Sequence, residues 1–334
     1  MPMSSPTVLP ITAVMPVLNC RQELPAHVRA AQSWMPVVEE IIVIDSFSTD
    51  GSLEYLKQHL DHPKVTFLSH PPGLYQSWNH AISKVASRFF VVSTIGDTIN
   101  PASLRLMKET MEDLAADVVL SAPEMRNPDG TASGVRWPIH HFSQTLPAGH
   151  PTRIDCWTWL SWCLAHPPET LLGSSAGNLY RTSFMQPRPF PVDFGRGGDS
   201  AWAAARTFEG RFVFEPRARS SFLVHPPVPS ARSQSPWIER YCQLLEDVIR
   251  EAGRTVPGIP APCSRLVADF ARIRPHLISR EKLSALRAEQ RNKRSPLRKL
   301  LLLTTKARLR PSRMAVRRHA EASLAILTSG AEAD

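Results

Sequence analysis

The 334-residue sequence has few of the features that mark secreted, zinc-binding or membrane-spanning proteins. Its five cysteines are odd in number and include no C-x-x-C pair, which argues against a disulfide framework or a zinc site and fits a reducing compartment. No Lys or Arg precedes Arg21, whereas a signal peptide begins with a positively charged region. No apolar run approaches the roughly 20 residues that a membrane-spanning helix needs. These absences predict a cytoplasmic protein.

Positive charge is concentrated towards the C-terminal end of the chain. The formal net charge is +9, and residues 264–334 alone hold 17 Lys or Arg against 6 Asp or Glu. The rest of the chain holds 22 basic and 24 acidic residues, so it is nearly neutral. The basic charge therefore belongs to the C-terminal tail.

Short apolar, β-branched runs alternate with helical segments over the first 122 residues. The predicted strands are 11–17, 40–45, 65–69, 89–95 and 118–121. The predicted helices are 24–34, 52–59, 75–86 and 101–115. Strands that alternate with helices form parallel sheets with right-handed crossovers. The predicted fold class is therefore α/β, with a mostly parallel, Rossmann-like sheet flanked by helices.

The regular pattern stops between residues 123 and 172, where prolines, histidines and tryptophans follow one another without a clear period. It resumes with a predicted strand at 177–180, a helix at 199–208 and a strand at 211–215. After Pro236 the chain is predicted to be wholly helical, with segments at 237–252, 264–273 and 279–292 and two basic segments that reach residue 328.

Two of the predicted strands deliver a carboxylate to a turn. One strand ends in Asp45, ahead of the Ser/Thr/Gly-rich segment 46–51, and another reaches Gly96 and Asp97 in the same manner. Open α/β sheets bind nucleotides at the carboxyl ends of their strands, and divalent cations such as Mg²⁺ prefer oxygen ligands. The pattern therefore suggests a site for a nucleotide and a metal ion.

Five motifs occur in the order and at the ordinary spacings of one protein family. They are Val14-Met-Pro-Val-Leu-Asn19, Asp45-Ser-Phe-Ser-Thr-Asp-Gly51, Gly73-Leu-Tyr-Gln-Ser-Trp-Asn79, Thr94-Ile-Gly-Asp97 and Gly198-Asp199. Over roughly residues 11–228 the chain resembles the family-2 glycosyltransferases with the GT-A fold. The resemblance implies a GT-A domain over residues 1–228, and residues 229–334 are then a helical, basic C-terminal extension. The resemblance implies a nucleotide-diphospho-sugar as the donor substrate.

The resemblance also implies a role for each motif. Asp45 would contact the base or ribose of the donor, in a pocket that also includes Pro16, Val17, Asn19 and Asn79. Asp97 would hold a Mg²⁺ or Mn²⁺ ion that bridges the diphosphate, and His225 falls where some GT-A enzymes place a histidine near the metal or the phosphates. Asp199 would be the catalytic base that takes the proton of the acceptor hydroxyl.

Three positions depart from the family pattern. A single Asp replaces the usual D-x-D, with Thr94 or Ile95 where a first carboxylate would stand. Ser46 takes the place of a second Asp after the strand, and Trp78 replaces an Arg that often precedes the helix asparagine. The acidic residues also have a purely structural interpretation, because Asp commonly fills turns and caps helices.

The tryptophans of the irregular stretch, Trp157, Trp159 and Trp162, allow two interpretations. They pack the core of a helical lid, or they form a wall for the acceptor, since flat aromatic faces suit the apolar faces of sugars. In the family, the small residues of segment 173–178 would lie on the acceptor side.

The implied reaction is transfer of a sugar to a hydroxyl of a glycan or a lipid-linked glycan, by one displacement that inverts the anomeric carbon, in cell-surface polysaccharide synthesis. Two alternatives come from other classes. One is a non-catalytic protein that binds nucleotide-sugars or glycans on the same scaffold. The other is a nucleic-acid-binding protein that acts through its basic tail.

The tail carries 11 Lys or Arg and no Asp or Glu between Arg291 and Ala320. A solvated helical face is the simple interpretation. Contact of residues 291–318 with an anionic membrane is favoured over nucleic-acid binding, because many relatives use lipid-linked acceptors and no nucleic-acid motif accompanies the charge. The predicted location is cytoplasmic, with peripheral attachment to the inner membrane face.

Overall fold

A computed structural model describes residues 7–147, 149–173, 175–224, 237–291 and 298–329. The chain divides into two compact units. The sheet unit comprises Met1–Asp155, Leu172–Val192 and Glu209–His225. The helical unit comprises Cys156–Leu171, Asp193–Phe208 and Pro226–Asp334. The predicted boundary at residue 228 falls within residues 225–236, which lie outside the described part of the chain, and it stays a prediction.

The strands of the described residues all belong to the sheet unit. They are β1 (Leu9–Val17), β2 (Val38–Asp45), β3 (Val65–Ser69), β4 (Phe89–Val92), β5 (Thr98–Ile99), β6 (Val118–Leu120), β7 (Glu124–Arg126), β8 (Thr152–Ile154), β9 (Asn178–Arg181), β10 (Phe212–Phe214) and β11 (Ser220–Leu223).

Eight of these strands form the main sheet, in the order β3-β2-β1-β4-β9-β6-β10-β8. The pairs β3–β2, β2–β1 and β1–β4 are parallel. Strand β9 runs antiparallel to both of its neighbours, β4 and β6. A second sheet has the order β5-β11-β7. The predicted α/β class with a mostly parallel sheet is confirmed.

The helices are α1 (Leu24–Trp34), α2 (Ser52–His59), α3 (Leu74–Ile82), α4 (Pro101–Asp113), α5 (Pro138–Gln144), α6 (Cys156–Ala165), α7 (Thr182–Met185), α8 (Gly198–Ala205), α9 (Ile238–Thr255), α10 (Ala261–Arg291) and α11 (Arg298–Ser329). Of these, α6 and α8 to α11 belong to the helical unit. Within the described residues, no helix combines the length and the apolarity that a bilayer crossing requires.

The core of the sheet unit lies on both faces of its central strands. Residues 13–15 of β1 and 41–44 of β2 are buried without alternation, as expected for parallel strands that are covered on both faces. Helix α1 places Leu24, Val28 and Ala31 on one buried stripe, which is the helical spacing of an amphipathic segment. The carboxyl ends of these strands are thereby fixed at one edge of the sheet.

The first two helices lie where the sequence predicts them. Helices α1 and α2 have the predicted bounds, and Asn100 caps α4 by accepting a 2.7 Å hydrogen bond from the Ser103 N–H, with Pro101 in the first turn. Strand β4 ends three residues earlier than predicted, because the chain turns at 94–97 and enters the second sheet as β5.

Two other parts of the chain differ from the arrangement that the sequence predicts. The stretch 123–172 contains β7, α5, β8 and α6, whose short lengths leave no periodic pattern. The two helices predicted at 264–273 and 279–292 are one helix, α10, with Pro275 in its interior.

Helix α6 carries the tryptophans of the irregular stretch. The indole N–H of Trp159 donates a 3.0 Å hydrogen bond to the Ala203 carbonyl, and Trp162 stacks on His166 with ring centroids 5.5 Å apart. Both tryptophans are buried, and these contacts support the core-packing interpretation for them.

Candidate functional site

The turn after β2 holds Asp45 at the carboxyl edge of the main sheet. Asp45 is only 2% exposed, and its two carboxylate oxygens accept the Ser48 N–H at 3.1 and 3.3 Å. Phe47 has a φ of +57°, a left-handed conformation that is uncommon for residues other than glycine. The turn therefore fixes the carboxylate from within its own sequence.

The end of β1 is joined to the same turn. Asn19, with a φ of +47°, accepts the Thr49 N–H on its side-chain oxygen at 2.8 Å. Its own N–H donates to the Ser48 hydroxyl at 3.0 Å. Pro16 and Val17 lie one step earlier, in register with the last two residues of β2. Four of the residues predicted to line the nucleotide pocket thus share one corner of the sheet: Pro16, Val17, Asn19 and Asp45.

Phe47 is a residue of this corner that the sequence analysis did not single out. Phe47 is 54% exposed, and Leu18, the residue after β1, is 50% exposed. An aromatic side chain inside an otherwise polar turn was the available signal, since exposed large apolar residues are informative when they cluster. Together they give the corner an apolar surface next to its carboxylate.

The turn after β4 holds Asp97, which is also 2% exposed. Its carboxylate accepts the Leu223 N–H at 3.0 Å and the Thr94 hydroxyl. Gly96 precedes it with a φ of +96°, and a Cβ at that position would lie 2.7 Å from Leu223 Cδ2. Only glycine fits both the backbone conformation and this close approach.

His27 of α1 contacts the same turn and is 3% exposed. The Gly96 N–H donates to its Nδ1 at 3.3 Å, so Nδ1 is unprotonated and the proton is on Nε2, which lies 3.4 Å from the Ser93 hydroxyl. Burial lowers the pKa of His27 to about 4. A neutral imidazole therefore supports the Asp97 turn at physiological pH.

Asn79 lies on α3 and is engaged with another part of the sheet unit. Its amide donates to the Phe190 carbonyl at 2.7 Å and accepts the Phe190 N–H at 3.0 Å. Trp78, beside it in sequence, packs edge-on to the Phe190 ring at 5.9 Å. These contacts show what anchors α3, and the predicted nucleotide contact of Asn79 stays a prediction.

Asp199 belongs to the helical unit, in the first turn of α8. Its carboxylate accepts the Ser200 N–H at 2.7 Å. The loop before it is packed tightly, since a Cβ on Gly197 would lie 2.2 Å from the Trp237 ring. His225, the other predicted metal ligand, lies outside the described residues.

The parallel strands bring the two strand-end carboxylates to one edge. Strands β2 and β4 flank β1 on either side, which corresponds to a separation of roughly 10 Å between them. Among the described residues, no group of three or more His, Cys, Asp or Glu is arranged to hold a metal ion. Among these residues Asp97 is a single carboxylate, so a metal ion there would need further ligands from a bound molecule or from residues outside the described part of the chain.

The sequence model of glycosyl transferase family 2 matches residues 12–164. This match covers the Asp45 and Asp97 turns together with the strands that carry them.

This segment is a glycosyl transferase family 2 domain. It is similar to the chondroitin synthase of Pasteurella multocida (strain Pm70), with 27% identity over 163 residues. It is equally similar to the hyaluronan synthase of Pasteurella multocida, with 27% identity over 160 residues. These alignments cover 43% and 42% of this chain, but only 17% and 16% of the two synthases.

Solved structures share the fold of the family-2 domain. The S. aureus TarS 1-349 structure in complex with UDP-GlcNAc has a TM-score of 0.59 at 15% identity, covering 93% of this chain and 90% of that one. The mannosyltransferase PcManGT from Pyrobaculum calidifontis, in complex with GDP-Man and Mn2+, has a TM-score of 0.52 at 17% identity, covering 97% and 88%. At these identities the likeness establishes the GT-A fold alone.

Proposed function

We propose that the protein is a glycosyltransferase that moves a sugar from a nucleotide-diphospho-sugar to a hydroxyl of a glycan or lipid-linked glycan. The observation that carries this proposal is the edge of the main sheet, where Asp45, Asn19 and Asp97 follow three adjacent parallel strands inside a family-2 domain. Open α/β sheets bind nucleotides at this edge.

The nucleoside binds at the Asp45 corner. The Asp45 carboxylate uses one backbone N–H of its own turn, and each carboxylate oxygen has a further lone pair for a ribose hydroxyl or a base N–H. The exposed ring of Phe47 offers an aromatic face beside it. The UDP, UDP-GlcNAc and GDP-Man complexes of the two structural neighbours support a nucleotide-sugar as the ligand.

A divalent cation binds at Asp97. The donor set fits Mg²⁺ or Mn²⁺, which prefer oxygen and keep several ligands from water and phosphate. Asp97 would supply the protein oxygen, and the diphosphate would supply others. When bound, the metal offsets the negative charge that grows on the leaving diphosphate. The Leu223 N–H donates to the carboxylate, and the neutral His27 accepts the N–H of Gly96, the residue before Asp97.

Asp199 acts as the catalytic base. The acceptor oxygen forms a bond to the anomeric carbon while the bond from that carbon to the diphosphate breaks, and the acceptor proton passes to the Asp199 carboxylate. A single displacement inverts the configuration at the anomeric carbon. The nucleoside diphosphate leaves with the electron pair of the broken bond.

The test is the Asp199→Asn variant in a transfer assay with Mn²⁺. Loss of a general base lowers turnover by roughly 10²–10⁴-fold, and we expect the affinity for donor to stay within a few fold because the nucleotide corner is unchanged. Asp193→Asn is the matched control, since Asp193 is exposed and pairs with Arg240 at 3.6 Å. Wild-type turnover in Asp199→Asn would refute the assignment of the base.

The proposal includes a cytoplasmic location and a role in cell-surface polysaccharide synthesis, with the basic tail on an anionic membrane. Residues 292–297 of this tail lie outside the described part of the chain. In α11, the basic residues whose side chains the structure describes are Arg310, Arg313, Arg317 and Arg318. Cosedimentation with vesicles tests the membrane contact: binding that ignores anionic lipid and salt would contradict it.

A non-catalytic binding protein is the competing function, favoured by the single carboxylate at Asp97. Slow, Mn²⁺-stimulated hydrolysis of a donor sugar by the wild-type protein would exclude it, because a binding protein releases its ligand intact.

A further inference from the structure

An open groove with a volume of about 480 Å³ lies on the second sheet of the sheet unit. This volume is within the range of ligand-binding clefts. Three arginines line it, Arg29 from α1, Arg126 from β7 and Arg219 from the segment before β11. Ser33, Thr98 and Ser221 are among the other lining residues.

The groove, which we call the arginine groove, has an excess of positive charge. Arg126 forms a 2.6 Å ion pair with Glu124. Glu124 is the one acidic residue among the described residues that line the groove. In the part of the chain that the structure describes, Arg29 and Arg219 make no ion pair with Asp or Glu. Two exposed guanidinium groups are therefore available for a negatively charged ligand, which guanidinium binds through paired hydrogen bonds.

The arginines are held by elements that bond to one another. Helix α1 is tied to the start of the second sheet by the 3.3 Å hydrogen bond from the Gly96 N–H to His27. The Arg219 N–H donates to the Ser103 hydroxyl of α4 at 2.6 Å. Strand β7 pairs with β11 in parallel register. Because the supports are fixed, a ligand loses little free energy in ordering them.

The lining of the arginine groove begins one residue after the Asp97 turn, at Thr98. Thr98 follows Asp97 directly and pairs with Ser221 across the second sheet. Asp97 accepts a hydrogen bond from Leu223, at the far end of the same strand, β11. A molecule in the groove would thus contact β5, which directly follows Asp97, and β11, whose Leu223 N–H donates to the Asp97 carboxylate.

We infer that the arginine groove binds the carboxylate or phosphate groups of an acidic glycan, which serves as the acceptor of the proposed transferase. This inference rests on the proposed function for the role of acceptor. The hydroxyl-rich lining suits sugar hydroxyls. None of the described lining residues is aromatic, whereas single-stranded nucleic acid is held by stacking on aromatic rings. None of the large exposed apolar side chains lines it either, and shallow membrane insertion needs such residues.

The test is the binding of defined oligosaccharides to the full-length protein without donor or metal. Tetragalacturonate carries carboxylates, a short glycerol phosphate oligomer carries phosphates, and maltotetraose is neutral. The variant is Arg29→Gln with Arg219→Gln. The matched control is Arg88→Gln with Arg153→Gln, which removes the same charge from exposed positions outside the groove.

We expect at least one acidic oligomer to bind and maltotetraose not to bind. The groove variant should weaken acidic binding by about tenfold or more, since two charge-assisted contacts are lost, and the control should leave it within about twofold. Affinity should also fall as sodium chloride is raised. The better binder of the two acidic oligomers identifies the anionic group.

Equal loss of affinity in both double variants would overturn the inference, because it would reduce the effect to net charge. Binding of single-stranded DNA or anionic vesicles that depends on Arg29 and Arg219, with no binding of either acidic oligomer, would overturn it as well. Donor hydrolysis by the wild-type protein is measured separately. If the protein binds acidic glycans in the groove but cleaves no donor, the groove is still a glycan-binding site, but the ligand is not the acceptor of a transferase.

Discussion

The two strand-end carboxylates of the main sheet resemble each other in sequence but are held in different ways. Asp45 is bound by Ser48, three residues later in its own turn. Asp97 is bound by Thr94, three residues earlier, but also by Leu223, 126 residues away, and the N–H of Gly96 before it donates to the buried His27. The hydrogen bonds to Asp45 thus come from its own turn, whereas the Asp97 turn depends in addition on distant parts of the chain. Perturbing the fold should therefore affect the Asp97 turn more than the Asp45 turn.

The largest expected effect is the pH dependence that His27 gives to the Asp97 turn. Its pKa in the folded state is about 4, against about 6.5 in an unfolded chain. Between these two values the unfolded chain binds a proton that the folded protein does not, so stability falls as the pH falls. From pH 7 to pH 4, His27 should remove about 3 kcal/mol from the free energy of unfolding.

Urea unfolding in EDTA at several pH values measures this contribution. His27→Gln keeps a side-chain acceptor for the Gly96 N–H but does not titrate, so its unfolding free energy should fall less steeply below pH 6.5. Identical pH profiles for the wild type and the variant would mean that His27 is already charged in the folded protein.

The next effect is the loss of Asp97 itself. Asp97→Ala leaves the partly buried Leu223 N–H and the Thr94 hydroxyl without their acceptor, and should lower the free energy of unfolding by about 2 kcal/mol. Asp97→Asn keeps an acceptor oxygen and should retain most of that stability.

Both Asp97 variants should lose the Mn²⁺ dependence of donor binding, because both lack the carboxylate charge. Calorimetric titration of a nucleotide-diphospho-sugar with and without Mn²⁺ measures it. An Asp97→Asn protein with an unchanged response to Mn²⁺ would reduce Asp97 to a structural residue.

The smallest effect belongs to Asp45, in the locally held turn. Asp45→Ala removes the acceptor of one backbone N–H in an otherwise well-bonded turn, and should cost about 1 kcal/mol of stability. It should weaken nucleotide binding equally with and without Mn²⁺, in contrast to Asp97→Ala. A cost to stability as large as that of Asp97→Ala would erase the distinction between the two turns.

The same distinction decides what could be predicted from the sequence. Strands and helices of the first 122 residues follow from apolar runs and caps within a few residues, as at Asn100 and Ser103. The Asp45 corner could also be predicted, since its hydrogen bonds lie within one turn or join the ends of the adjacent strands β1 and β2. The end of β4 could not be placed, because Leu223 and His27 fix the turn at 94–97 from distant parts of the chain.

Two further features had no local signal. The amide of Asn79 is used by Phe190, 111 residues later, and no pattern around residue 79 indicates that partner. Pro275 lies inside α10, whereas a proline in a helical pattern normally marks an end or a kink. Neither outcome follows from the residues that are neighbours in sequence.

The antiparallel strand β9 makes the sheet depend on residues beyond the family match. It lies between β4 and β6, yet it begins at Asn178, and the match ends at residue 164. A recombinant fragment cut at that limit would leave two apolar strands, Phe89–Val92 and Val118–Leu120, with open edges that invite aggregation. Truncation experiments on this protein should therefore keep the chain at least through Leu223, where β11 completes the second sheet.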